Sequence, residues 1–273
     1  QRQLKLIQSL ENESEKGNRQ TIITTHAPLL ASVVKLSNII IVKSGEAYSL
    51  AEGYTELDGD DYIFLEKYLD ATKANLFFAR SVIIVEGPGE ALLLPTIAKL
   101  LGYSFTDYGT SLVDVRSTGL RRYAKIFQRK DQSKSLDINV ACITDRDIMP
   151  NCAPGICINE KYTLDNKTWP EKAKRAWRAE SDFTKKEAEA HLKKIKERAD
   201  GQGVRTFVAE HWTLEYDLAY EGLQNGDMKE VLINSLIKVS YVDKNRTSKK
   251  TELVNNLNKY QTIEEKASYF YSY

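Results

Sequence analysis

With 273 residues, 42% of them hydrophobic and 28% charged, the chain is long enough for one substantial core plus a smaller one and too apolar for a disordered tail. A formal net charge of +1 excludes a histone-like binder, because any attraction to nucleic acid must then come from a local basic face. Cys142, Cys152 and Cys157 leave one thiol over whatever the pairing, and none stands in a C-x-x-C pair suited to structural zinc.

We read the cysteines as reduced. No apolar run approaches the roughly 18 residues of a membrane span, and Gln1-Arg2-Gln3-Leu4-Lys5 lacks a signal-peptide core. The expectation is a cytoplasmic protein with no membrane partner. The first residue is not methionine, and Leu4, Leu6, Ile7 and Leu10 already have helical spacing, as in a longer polypeptide entered partway through an element.

Residues 21–25, Thr-Ile-Ile-Thr-Thr, predict a strand. His26-Ala27-Pro28 then turns into a short helix, and Ile39-Ile40-Ile41-Val42 predicts a second strand before the turn Ser44-Gly45-Glu46. We read 1–57 as the end of one domain. Residues 58–79 have helical spacing, with Phe64, Leu65, Tyr68 and Leu69 on one apolar face, and predict a helical connector. At 81–85 a β-branched run predicts a strand covered on both faces, followed by Glu86-Gly87-Pro88-Gly89-Glu90 and a helix to Leu101.

Further strands are predicted at 111–115, 139–144 and 204–209. The helices between them predict crossovers in a mainly parallel sheet. The fold class is therefore α/β, with one domain over 80–273 that carries an insertion at about 159–200. Within 167–198 stand eleven Lys or Arg against six Asp or Glu, with Trp169 and Trp177 among them. This basic stretch, helical from Thr184 onward, is a candidate for phosphate contact through residues such as Lys185 and Lys186. Its bland alternative is a solvated helix of mixed charge. Arg121-Arg122, after Ser117-Thr118-Gly119, is a second candidate grip on a nucleic acid backbone. After Asp217 the chain reads as helical to its end.

An open α/β sheet places its chemistry at the carboxyl ends of its strands. Glu86 follows one apolar strand and Asp145 and Asp147 follow another, so three carboxylates are expected at one rim. Hard oxygen ligands of this kind suit Mg²⁺ or Mn²⁺. Gly87 and Gly89 let the backbone turn tightly beside an ion or a phosphate, and Glu90 lies one helical turn from Glu86. Glu215 and Asp217, after the fourth strand, are candidates for a second metal position. Each feature alone has a structural reading, since Asp favours turns and caps and Glu90 sits on a helix. Their combination is what points to a metal.

Val85-Glu86-Gly87 with Asp145-Arg146-Asp147 resembles the Toprim domain of topoisomerases, bacterial primases and certain nucleases. Thr24-Thr25-His26-Ala27-Pro28 resembles the switch-histidine segment near the end of an ABC-type ATPase head. That order, an ATPase head followed by Toprim, is the layout of the OLD (overcoming lysogenisation defect) family nucleases, which include Gabija-type anti-phage nucleases. Leu214-Glu215-Tyr216-Asp217-Leu218 and Lys250-Thr251-Glu252-Leu253-Val254 also resemble later motifs of that family.

The resemblance implies a two-metal, ATPase-coupled DNA endonuclease. Glu86, Glu90, Asp145, Asp147, Glu215 and Asp217 would be its metal ligands, and Glu86, Asp145, Asp147 and Lys250 its catalytic residues. Lys244, Arg246 and Lys249 compete with Lys250 for the last role. His26 would be ATP-sensing. No G-x-x-x-x-G-K-[ST] loop occurs in the chain, so an ATP site would need other parts of a longer protein. The same resemblance implies a homo-oligomer and a partner protein in phage defence. A non-catalytic Toprim platform and a topoisomerase- or primase-type protein are the alternatives, although the length leaves little room for a topoisomerase's tyrosine-bearing domain.

Overall fold

The computed structural model describes residues 2–17, 19–116, 119–153 and 178–273. Ser117-Thr118, Cys157, Trp169, Trp177 and the first part of the expected basic insertion lie outside the described residues. The chain divides into two compact units, Gln1–Ile143 with Ile195–Phe207 and Thr144–Lys194 with Val208–Tyr273.

The first unit opens with helices α1 (Arg2–Glu15) and α2 (Pro28–Ala31) and the antiparallel hairpin β1 (Ile40–Lys43) and β2 (Glu46–Ser49). Ser44 and Gly45 connect these strands with φ of 53° and 83°. Two left-handed residues in a two-residue loop give the twist that a hairpin needs. The strand expected at 21–25 does not form. Ile22 is 87% exposed, and an extended segment becomes a strand only with a ladder partner, which no described residue supplies there.

Helix α3 (Gly59–Tyr68) starts at a capping box in which Asp58 and Asp61 each accept from the other's backbone N–H. The expected helix over 58–79 is interrupted after Tyr68. The Asp70 side chain accepts from the N–H groups of Thr72 and Lys73, both at 2.9 Å, and the chain resumes as a 3₁₀ segment, Lys73–Phe78. A local side-chain acceptor has there replaced the helical carbonyl.

The sheet unit proper begins with β3 (Ser81–Val85), α4 (Pro88–Leu100), α5 (Phe105–Tyr108), β4 (Thr110–Asp114), α6 (Leu120–Lys125) and β5 (Asn139–Thr144). After β5 come two-residue strands β6 (Ile148–Met149) and β7 (Arg178–Ala179), paired in parallel, then α7 (Lys185–Glu197) and β8 (Val204–Val208). The four-stranded sheet runs β4-β3-β5-β8. β3 is parallel to both neighbours, with Val85 opposite Asp114 on one side and Ile143 on the other. β8 continues in the same sense, since Val140 N–H donates to Gly203 O and Ala209 N–H to Thr144 O. Gly203 is required at this edge, because a Cβ there would lie 2.8 Å from Ile138 O.

The expected mainly parallel sheet flanked by helices is thus the observed one. Val82, Ile84, Val113, Val140, Cys142 and Val204 from the strands share a single core with Leu36, Ile41 and Leu50 of the hairpin region and Leu65 of α3. Burial drives the Cys142 thiol up to about 12, with the charges of Asp200 and Glu86 adding to the effect.

In the second unit α8 (Leu214–Gln224), α9 (Gly226–Ser240), α10 (Asp243–Leu257) and α11 (Ile263–Ser272) make the expected helical carboxyl-terminal region. Its core joins Met149, Trp212, Tyr216, Ile233, Ile237, Leu253, Leu257 and Ala267. Among the described residues no helix is long and apolar enough to cross a membrane.

Candidate metal centre

β3 ends at Val85 and hands its direction to Glu86, which is half-buried. Gly87 caps α4, Pro88 occupies the first helical turn, where its missing N–H leaves no bond unmade, and Glu90 follows in that turn. Glu90 is only 7% exposed. Its carboxylate folds back over Gly87, so that a Cβ on Gly87 would stand 3.2 Å from Glu90 Oε2. A buried carboxylate at a helix amino terminus gains from the helix dipole. Glu86 and Glu90 thus flank Gly87 in the first unit, and glycine at 87 leaves the Glu90 carboxylate uncrowded.

In the second unit Asp145 and Asp147 directly follow β5. Asp145 is half-buried, and its Oδ1 accepts from Leu214 N–H, at the amino terminus of α8, at 3.3 Å. Arg146 between them is tied to the 210–212 loop: its N–H donates to Trp212 O at 2.9 Å and its guanidinium to Glu210 O at 2.6 Å. Asp147 is exposed and has φ of 60°. Asp tolerates the left-handed region better than most residues, and non-glycine residues held there concentrate at functional sites.

The third acidic pair separates. Glu215 is exposed on the first turn of α8. Asp217, half-buried one turn on, is engaged by the loop that precedes the helix. Its Oδ2 accepts from Glu210 N–H at 2.7 Å, and its Oδ1 accepts from His211 N–H at 3.1 Å and Trp212 N–H at 3.2 Å. Asp217 thus stands as the acceptor that shapes the loop, a role the sequence reading did not assign.

Among the described residues no group of three or more His, Cys, Asp or Glu side chains is placed to hold a metal ion. Within the second unit Asp217 accepts from its loop, Asp145 Oδ1 accepts from the α8 amino terminus, and Glu215 is exposed. The donor set still fits Mg²⁺ or Mn²⁺. These ions need only one or two protein carboxylates beside water and substrate oxygens, and every candidate is a hard oxygen donor.

Lys250 lies on α10 and its ammonium is 3.6 Å from Glu230 Oε1, whereas Lys249 pairs with Glu252 at 2.7 Å and sits over the Tyr241 ring. Arg121 and Arg122, the candidate grip on nucleic acid, lie beside a buried acid. Asp61 is fully buried, with Lys125 Nζ at 2.8 Å, Arg122 Nε at 3.2 Å and an Arg121 nitrogen at 3.8 Å. The Arg122 guanidinium also lies over the Phe64 ring. Burial of Asp61 demands cationic partners, and Lys125 with the two arginines supplies them. Lys185 and Lys186 are exposed on the first turn of α7, where Thr184 and Glu187 bond reciprocally. His26 is exposed in the irregular segment before α2.

Residues 77–147 match the family described as overcoming lysogenization defect protein-like, TOPRIM domain. Comparison with curated proteins gives no match. Among solved structures, the carboxyl-terminal region of the Burkholderia pseudomallei OLD protein is similar at 20% identity, covering 71% of this chain and 88% of that one, with a TM-score of 0.38. The carboxyl-terminal region of the Xanthomonas campestris pv. campestris OLD protein is similar at 20% identity over 71% of this chain and 84% of that one, with a TM-score of 0.37. The family match takes in Glu86, Glu90, Asp145 and Asp147 together, and it is over residues 77–147 that the chain is similar to the OLD-like Toprim domain.

Proposed function

We propose that the chain is the nuclease part of an ATPase-coupled protein and hydrolyses DNA phosphodiester bonds with divalent metal. The observation that carries this reading is the single Toprim match that spans both acidic strand ends, Glu86 after β3 and Asp145 after β5. Glu86 and Asp145 would hold the first ion, and Asp147 or Glu90 with Glu215 would share in a second. When bound, Mg²⁺ or Mn²⁺ supplies Lewis-acid stabilisation of the negative charge that develops on the phosphate.

The residues of the chain do the rest. Gly87, with no side chain of its own, would let a phosphate oxygen approach beside Glu86, and the carboxylates would orient the attacking water for displacement of the leaving oxygen. An ammonium such as that of Lys250 would offset transition-state charge as a fixed cation and need not transfer a proton. ATP would act through the longer protein, with His26 as a sensor of its state. Cytoplasmic location, homo-oligomerisation and a partner in phage defence belong to the same proposal.

The test is nicking and linearisation of supercoiled plasmid by the purified chain with Mg²⁺, with Mn²⁺ and with chelator. Metal-dependent cutting is the expected result. Cutting that persists in chelator would overturn the reading.

A further inference from the structure

The α8 approach loop contains more order than a connector needs. Over residues 209–213 the chain leaves β8 and must present Leu214 N–H to Asp145. Five polar links fix it: the Asp217 carboxylate accepts from the N–H groups of Glu210, His211 and Trp212, and Arg146 donates to Trp212 O and Glu210 O. Trp212, fully buried, anchors the loop on the ring edges of Tyr216 and on Tyr271. The helix is closed behind the loop by Thr213, whose hydroxyl accepts from Tyr216 N–H at 3.2 Å and whose carbonyl accepts from Asp217 N–H at 2.9 Å.

This lacing has a direction. A loop bound only to its own helix would satisfy its amides without reference to the acidic segment. Here the residue between the two candidate ligands, Arg146, and the acid on the following helix, Asp217, both hold Glu210 and Trp212, and the backbone N–H two residues on, that of Leu214, is the one that donates to Asp145 Oδ1. We propose that Asp217 and Arg146 are positioning residues, which set the 210–214 loop so that Leu214 N–H orients the Asp145 carboxylate. Asp217 is then a loop clamp and no metal ligand. Asp145 Oδ1 is thereby turned to the helix amino terminus. The inference rests on the nuclease reading for its catalytic consequence only, since the clamp itself exists without metal.

The test uses the purified chain and the variants Asp217→Ala, Asp217→Asn and Arg146→Met, each read in two ways. In metal-free protein, amide hydrogen exchange should accelerate at Leu214 as well as at 210–212 in Asp217→Ala. Protection of the β3 and β5 amides should stay at the wild-type level, showing that the fold persists. Asp217→Asn, which keeps one acceptor oxygen, should fall between wild type and Asp217→Ala. In calorimetry with Mn²⁺, Asp217→Ala should bind the same number of ions per chain as wild type with about 10- to 100-fold weaker affinity, the loss usual when a residue orienting a ligand is removed.

Unchanged exchange at Leu214 in both Asp217→Ala and Arg146→Met would overturn the proposal. So would the loss of one Mn²⁺ per chain in Asp217→Ala, which would make Asp217 a ligand. A wild-type chain that binds no Mn²⁺ would count against the nuclease reading, while the exchange result still decides the clamp.

Discussion

Removing the Asp61 carboxylate should destabilise the sheet unit by about 3 kcal/mol, and the figure follows from how its partners are placed. Asp61 is fully buried against Lys125 at 2.8 Å and Arg122 at 3.2 Å. Breaking a buried pair by deleting one member costs roughly 3–5 kcal/mol, because the remaining charge is stranded. Here the cations keep side-chain exposures of 19% and 23% and can turn toward water, which places Asp61→Ala at the low end of that range. Arg121, at 3.8 Å and 44% exposed, adds little, as exposed pairs do. The assay is native-state hydrogen exchange of the β3 amides, where about 3 kcal/mol appears as exchange faster by about two orders of magnitude. A change of less than about tenfold would refute the reasoning.

Other measurements reach other parts of the account. Gly203→Ala should loosen β8 by about 1–3 kcal/mol, since its Cβ would meet Ile138 O at 2.8 Å; faster exchange at Val140 N–H is the readout. Cys142 should resist alkylation at pH 8 in the folded chain and react on unfolding, because burial pushes its thiol up to about 12. The same shift fixes a sign. The folded state keeps the proton that the unfolded thiol loses near its ordinary value of 9.0, so stability is full below that pH and is lost as pH rises toward about 12. Burial raises Tyr123 and Tyr216 as well, so urea midpoints should fall on the alkaline side, and Cys142→Ala should make that fall shallower. Gly87→Val should impair metal binding while leaving β3 protected, by crowding the Glu90 carboxylate that lies 3.2 Å from the Cβ position.

What the sequence makes legible here is whatever depends on local pattern. The β-branched run before Glu86 and the Asn139–Thr144 strand before Asp145 are hydrophobic segments closed by acids, and both form as expected. Turn chemistry at Ser44-Gly45 is equally local. The misses are all questions of partnership. Residues 21–25 have strand composition and no ladder partner among the described residues. Asp70 stops a helix by bonding two nearby amides, which apolar spacing does not register. The pairing of Arg121 and Arg122 with the buried Asp61, sixty residues earlier, is likewise a long-range contact that local pattern does not display.

The site shows the same division. Glu86 and Asp145 are marked by strand ends, which a sequence displays. Asp217 is acidic and correctly spaced for a ligand, yet its geometry is that of an Asp one turn into a helix reaching back to the amides before it. The Thr213 cap four residues earlier is the one signal that pointed that way.

The most direct test of the central claim pairs Glu86→Gln and Asp145→Asn with the wild-type chain, following plasmid cleavage and Mn²⁺ binding on the same samples, each shown to be folded by β3 and β5 amide protection. The account predicts that either substitution lowers cleavage by at least about 100-fold and weakens Mn²⁺ binding, as expected when a ligand that stabilises transition-state charge is neutralised. Wild-type cleavage in both folded variants would contradict it.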